Sequence, residues 1–71
     1  MTPKEKRTEI KRILSRLTDG NRNIFMRMYS HDDLTRDIND VVDTMPAKQL
    51  NWALQQVQNT YHKIFRIIKN S

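Results

Sequence analysis

The chain has 71 residues, with 13 Lys+Arg against 8 Asp+Glu, a net charge of +5, no cysteine, one glycine and two prolines. That length allows one domain with a small core, and the lack of cysteine excludes a disulfide framework or a thiolate zinc site. A single glycine leaves too few positive-φ positions for a many-turned β architecture. Mean hydropathy is −0.82, close to that of disordered chains, yet the apolar residues recur with helical period. The expected fold is all-α, a small three- or four-helix bundle with a long C-terminal helix, in one domain over residues 1–71.

The first helix begins at Thr2-Pro3-Lys4-Glu5. Thr2 is an N-cap, Pro3 the first helical residue, and Glu5 can reach back to the Thr2 amide in a capping box. Ile10, Ile13, Leu14 and Leu17 follow at i, i+3, i+4 and i+7. The helix is expected over residues 3–18, ended by Asp19-Gly20 with Gly20 left-handed. A short second helix over 21–29 places Ile24, Phe25, Met28 and Tyr29 on one face, with Met26 off it. Ser30 to Asp33 interrupts. Leu34, Ile38, Val41, Val42 and Met45 form the next stripe; its helix starts either near Asp33 or at Asp37, and Asp37 is a candidate cap for a helix over 37–45. Pro46 stops that helix and starts the last, expected over 46–69. Its stripe is Leu50, Ala53, Leu54, Val57, Tyr61, Ile64, Phe65 and Ile68.

Charge is segregated along the chain. Residues 1–29 hold +5, residues 30–47 hold −4 and residues 48–71 hold +4. On helix 1, Glu5 and Glu9 share a side with Arg12 and Arg16, where i,i+3 and i,i+4 pairs form. Lys4, Arg7 and Lys11 form another strip without acids. His62, Arg66 and Lys69 line up in the same way on helix 4. Uncompensated cations on one surface suit phosphate contacts, so Lys4, Arg7, Lys11, Arg66 and Lys69 are the nucleic-acid candidates. The same charges also serve plain solubility. Helix 3 is acidic, which opposes its use as a helix-turn-helix recognition element.

The aspartates of the connector do not match a calcium-loop spacing, and helix capping accounts for several of them. No metal or cofactor is expected. His31 and His62 are the only imidazoles, and no nucleophile or glycine-rich phosphate loop accompanies them. The expected protein is not an enzyme.

Trp52 lies nearly opposite the helix 4 stripe, on the side of Asn59, Lys63 and Ile67. In a core this small, helices 2 and 3 are expected to wrap and bury it. If exposed, it is an interface anchor among amides and cations. Trp52, Lys63 and Ile67 are therefore the partner-binding candidates. The last turns of helix 4 offer a dimer surface unless helix 1 covers them.

Three stretches carry a resemblance: Asn21-Arg22-Asn23-Ile24-Phe25-Met26-Arg27-Met28-Tyr29-Ser30, Asp37-Ile38-Asn39-Asp40-Val41-Val42-Asp43-Thr44-Met45-Pro46 and Leu50-Asn51-Trp52-Ala53-Leu54-Gln55-Gln56-Val57. Together, over about residues 21–60, they resemble small α-helical proteins encoded by tailed bacteriophages. That resemblance implies an accessory protein of an infected bacterial cytoplasm that binds and modulates host or phage machinery. It brings no catalytic residues to transfer. A charge of +5 opposes DNA mimicry and favours a partner with an acidic surface. Nucleic acid is the alternative target, and a homodimer or self-assembling component the third. No apolar run approaches the roughly 20 residues of a membrane span, and MTPKEKRTEIKR lacks a signal-peptide core. A cytoplasmic location without membrane contact is the expectation.

Overall fold

Capping side chains set the helix boundaries. The computed structural model describes the backbone over residues 1–70 and side chains through Phe65. Among the described residues the elements are α1 (Pro3–Leu14), α2 (Asp19–Tyr29), α3 (Ile38–Asp43) and α4 (Ala47–Asn70), without strands. The chain is a small all-α protein with a long C-terminal helix. None of these helices is long and apolar enough to cross a membrane.

The capping box of α1 forms as expected. The Glu5 amide donates to Thr2 Oγ1 at 3.2 Å and the Thr2 amide to Glu5 Oε1 at 3.1 Å. The first helix stops earlier than expected, at Leu14. Gly20 does not end it; it lies in the first turn of α2 and has no positive φ. Thr18 decides the boundary. Its extended backbone (ψ 161°) breaks the helix, and its Oγ1 accepts from the Asn21 amide at 3.3 Å. A threonine cap followed by an acid in the first turn is a stronger local signal than one glycine. Leu17 stays in the core although it lies outside the helix.

In α2 the buried pair is Phe25 and Met26, while Ile24 and Met28 face solvent. This corrects the expected face, on which Met26 was the outlier. The run from Ile24 to Tyr29 has apolar residues on both sides, so period alone does not choose the inner one. α2 ends in a Schellman-type turn. The Asp32 amide reaches the Arg27 carbonyl at 3.3 Å, and His31 holds the left-handed position at φ 53°, followed by Asp32 at φ 67°. Buried Ser30 pins the turn, with its Oγ 2.6 Å from the Met26 carbonyl and 2.7 Å from that of Asp33.

Asp37 caps α3, accepting from the Asn39 amide at 3.1 Å. Leu34 lies in the preceding loop, exposed, and does not join the α3 stripe. α4 begins one residue after Pro46, whose carbonyl takes the amides of Gln49 (3.0 Å) and Leu50 (3.1 Å).

α1 packs along α4 in the most extensive interface, and α3 closes against α1. The core joins Ile10, Ile13 and Leu14 of α1 to Leu50, Ala53 and Val57 of α4, with Val41, Val42 and Met45 beside them. Phe25 and Met26 enter from α2. The molecule is flattened, with principal extents of 37 × 29 × 15 Å.

Candidate interaction surface on α2 and α4

The two basic strips read from sequence have different fates. On α1, the Arg7 guanidinium turns toward the end of α3. Its Nη2 donates to the Met45 carbonyl at 2.8 Å and its Nε to the Val42 carbonyl at 3.3 Å. Cations suit a helix C-terminus, where carbonyls lack helical partners. Lys11 pairs with Asp43 at 2.6 Å, and Lys6 donates to the Asn51 side chain. Lys4 remains exposed. The strip Lys4–Arg7–Lys11 is thus mostly a clamp between α1 and α3. The side chains of Arg66, Ile67, Ile68 and Lys69 lie outside the described residues.

The outer face of α4 is different. Trp52 is 72% exposed, so its expected burial beneath helices 2 and 3 does not occur. Helices 2 and 3 leave that side of α4 open. Lys48, Trp52, Gln55, Asn59 and Lys63 follow one another at helical spacing, and all are exposed. Met28 of α2 meets this face. It lines, with Trp52, Gln55, Gln56 and Asn59, an open depression of about 370 Å³. A second hollow of about 110 Å³ lies beside it, between Leu17, Ile24 and Phe25 on one wall and Gln56, Val57 and Thr60 on the other.

Gln56 is shared by both hollows and held between the helices. Its Oε1 accepts from the Tyr29 hydroxyl at 2.8 Å, and its amide nitrogen lies 2.9 Å from Met28 Sδ. Burial pushes the Tyr29 phenol above its ordinary pKa. Tyr29 also packs on Phe25, ring centroids 4.7 Å apart. The seam therefore sets the amides of Gln55, Gln56 and Asn59 among apolar lips, Ile24, Met28 and Trp52.

The carboxylates lie elsewhere. Glu9 pairs with Arg12, Asp19 with Arg22, Asp40 with Arg36 at 3.0 Å and Asp43 with Lys11. The Arg12 hydrogen bond holds Glu9 below its ordinary pKa, and Glu9 raises that of Arg12 in return. The Thr2 amide lowers Glu5, and the Thr35 hydroxyl and amide lower Asp33. α4 has no acidic residue at all. Of the predicted partner-binding residues, the structure places Trp52 and Lys63 on one exposed face, and Ile67 is outside the described side chains. The sequence reading missed the α2 wall, Ile24 and Met28. Their i,i+4 spacing was a visible signal, but it was assigned to the core.

His31 and Asp32 are both exposed at a left-handed turn, and among the described residues no hydrogen bond joins their side chains. No group of three or more His, Asp or Glu gathers in metal-binding geometry among the described residues. Set against protein-family models, curated proteins and solved structures, the chain matches none.

Proposed function

We propose that this chain is a non-enzymatic binding protein that docks on a protein with an acidic surface and modulates it. The setting proposed is that of a phage-type accessory protein in a bacterial cytoplasm, acting on a host or phage partner. The observation that carries the reading is the exposure of Trp52 beside Met28, on a helix face that also carries Lys48 and Lys63. Large aromatic side chains left on a surface, with cations nearby, are the usual anchors of protein interfaces. Direct nucleic-acid binding is the weaker reading, because Arg7 and Lys11 already have partners inside the fold.

Affinity capture from bacterial lysate, with nuclease added, tests the proposal. A partner retained after nuclease and lost with Trp52→Ala is the expected result. Loss of all partners on nuclease treatment would point to nucleic acid instead. A second reading, self-association through the later turns of α4, draws on Phe65. It is exposed and stacks on Tyr61 with centroids 6.3 Å apart. Sedimentation at two concentrations tests it, and a monomer at both removes it.

A further inference from the structure

The α2–α4 seam has a direction and a length. Met28, near the end of α2, faces Trp52 to Asn59, while Ile24, a turn earlier, faces Val57 and Thr60. The two helices therefore run antiparallel here. Between Trp52 and Thr60 the seam is about 12 Å long at 1.5 Å per residue, or a little over two turns of helix. Its lips are apolar, and Gln55, Gln56 and Asn59 supply amides between them. Exposed Lys48 and Lys63 stand beyond its ends, with exposed Arg27 on α2.

We infer that this seam is a groove for a short amphipathic helix of a protein partner, with apolar anchors one turn apart and carboxylates at both ends. The inference rests on the binding-protein reading above and adds the chemistry of the ligand. Helix-in-groove recognition uses apolar side chains at i, i+3/i+4 and i+7, and that spacing fits the distance from Trp52 to Thr60. The charge selects the partner. The residues lining the two hollows include no carboxylate, and exposed Lys48, Lys63 and Arg27 flank them, so an acidic helix is steered in and a basic one repelled. The same argument disfavours a second copy. In a two-fold dimer the same patch meets itself, so Lys48, Lys63 and Arg27 would face only cations. A phosphate backbone would gain from the lysines and leave Ile24 and Met28 uncovered.

The probe is a synthetic, fluorescently labelled peptide of roughly 16 residues, with leucines at i, i+4, i+7 and i+11 and glutamates along both flanks. Two further peptides serve as controls, one with lysine replacing every glutamate and one scrambled to destroy the period. Anisotropy titration against the full chain should show saturable binding of the acidic helix only. Met28→Glu, and the pair Lys48→Glu with Lys63→Glu, should each weaken it at least about tenfold. Arg16→Glu, a single charge reversal at an exposed position between α1 and α2, should leave it within about twofold. Circular dichroism confirms that each variant is folded. The inference is overturned if the acidic helix does not bind, if the lysine or scrambled peptide binds equally, or if Arg16→Glu weakens binding as much as the groove variants. Competition by a single-stranded oligonucleotide at equal concentration would also overturn it. If the peptide fails while lysate capture through Trp52 succeeds, the helical ligand is wrong and the binding-protein reading stands.

Discussion

Where α1 meets α3, cations turn into the fold: Arg7 closes the carbonyl end of α3 and Lys11 holds Asp43. Where α2 meets α4, Lys48 and Lys63 stay in solvent on the helix face that carries an exposed tryptophan. Both regions come from helices rich in Lys and Arg. The difference is what docks within reach. α3 brings a helix C-terminus and an aspartate to α1, whereas α2 brings only Ile24 and Met28 to the outer face of α4. A charge count cannot distinguish a structural cation from an available one. The partner each cation meets does.

The sharpest contrast is between two positions on α4. Leu50→Ala should cost about 2–5 kcal/mol, because Leu50 is fully buried and its truncation leaves a cavity. That approaches the whole stability of so small a domain, and urea unfolding followed by circular dichroism would show little native signal. Trp52→Ala should change stability by no more than about 0.5 kcal/mol. Equal effects at the two positions would erase the distinction between core and surface.

Next comes the fate of the cations. Arg7→Ala should cost about 1–3 kcal/mol, since it removes charged hydrogen bonds to partly buried carbonyls. Lys63→Ala removes the same charge from solvent and should stay within about 0.5 kcal/mol. If the urea midpoints of the two variants coincide, the clamp contributes nothing and the α1–α3 contrast fails.

A smaller effect of opposite sign is expected at the end of α2. His31 occupies a left-handed position (φ 53°) that glycine adopts without steric cost. His31→Gly should raise stability by about 0.5–1 kcal/mol in thermal unfolding, the relief exceeding the added freedom of the unfolded chain. Destabilisation would mean that the imidazole makes a contact worth more than the strain.

The smallest effect is with pH. Glu5, Glu9 and Asp33 are all held below their ordinary values of 4.5, 4.5 and 3.8. A carboxylate whose pKa is lowered on folding stabilises the fold above its unfolded pKa, and that contribution disappears as pH falls through the folded value. The urea midpoint should therefore drift down as pH drops below about 4.5. Glu5 and Asp33 are exposed and Glu9 is only half-buried, so the drift is shallow. Glu5→Gln should flatten part of it, because an amide preserves the capping box without titrating. A midpoint that rises on acidification would reverse the assignment.

Much of this fold was legible in local chemistry. The Thr2–Glu5 box, the Asp37 cap, the break at Pro46 and the Leu50–Ala53–Val57 stripe each depend on a few adjacent residues, and the structure bears them out. What the sequence hid depends on neighbours distant along the chain. Arg7 looked like a surface cation because nothing within one helical turn reveals that Met45 lies against it, 38 residues later. Ile24 and Met28 looked like core because an isolated period cannot say which side α4 approaches. Trp52 was placed opposite the α4 stripe by the wheel alone, and its exposure depends on how far α2 and α3 reach around α4. Gly20 misled for a local reason: Thr18, two residues earlier, had already set the boundary.

The pairing of α1 with α4 has a consequence for how the molecule comes to exist. Ile10, Ile13 and Leu14 find their cover on Leu50, Ala53 and Val57, so the first helix made waits for the last. During synthesis, a nascent chain that has just passed α3 already holds the carbonyls and the aspartate that Arg7 and Lys11 meet, but it lacks the apolar cover that Leu50, Ala53 and Val57 supply, and folding awaits the emergence of α4 from the ribosome. A ribosome-tethered series should show protection from protease arising in one step, only once Val57 has cleared the exit tunnel.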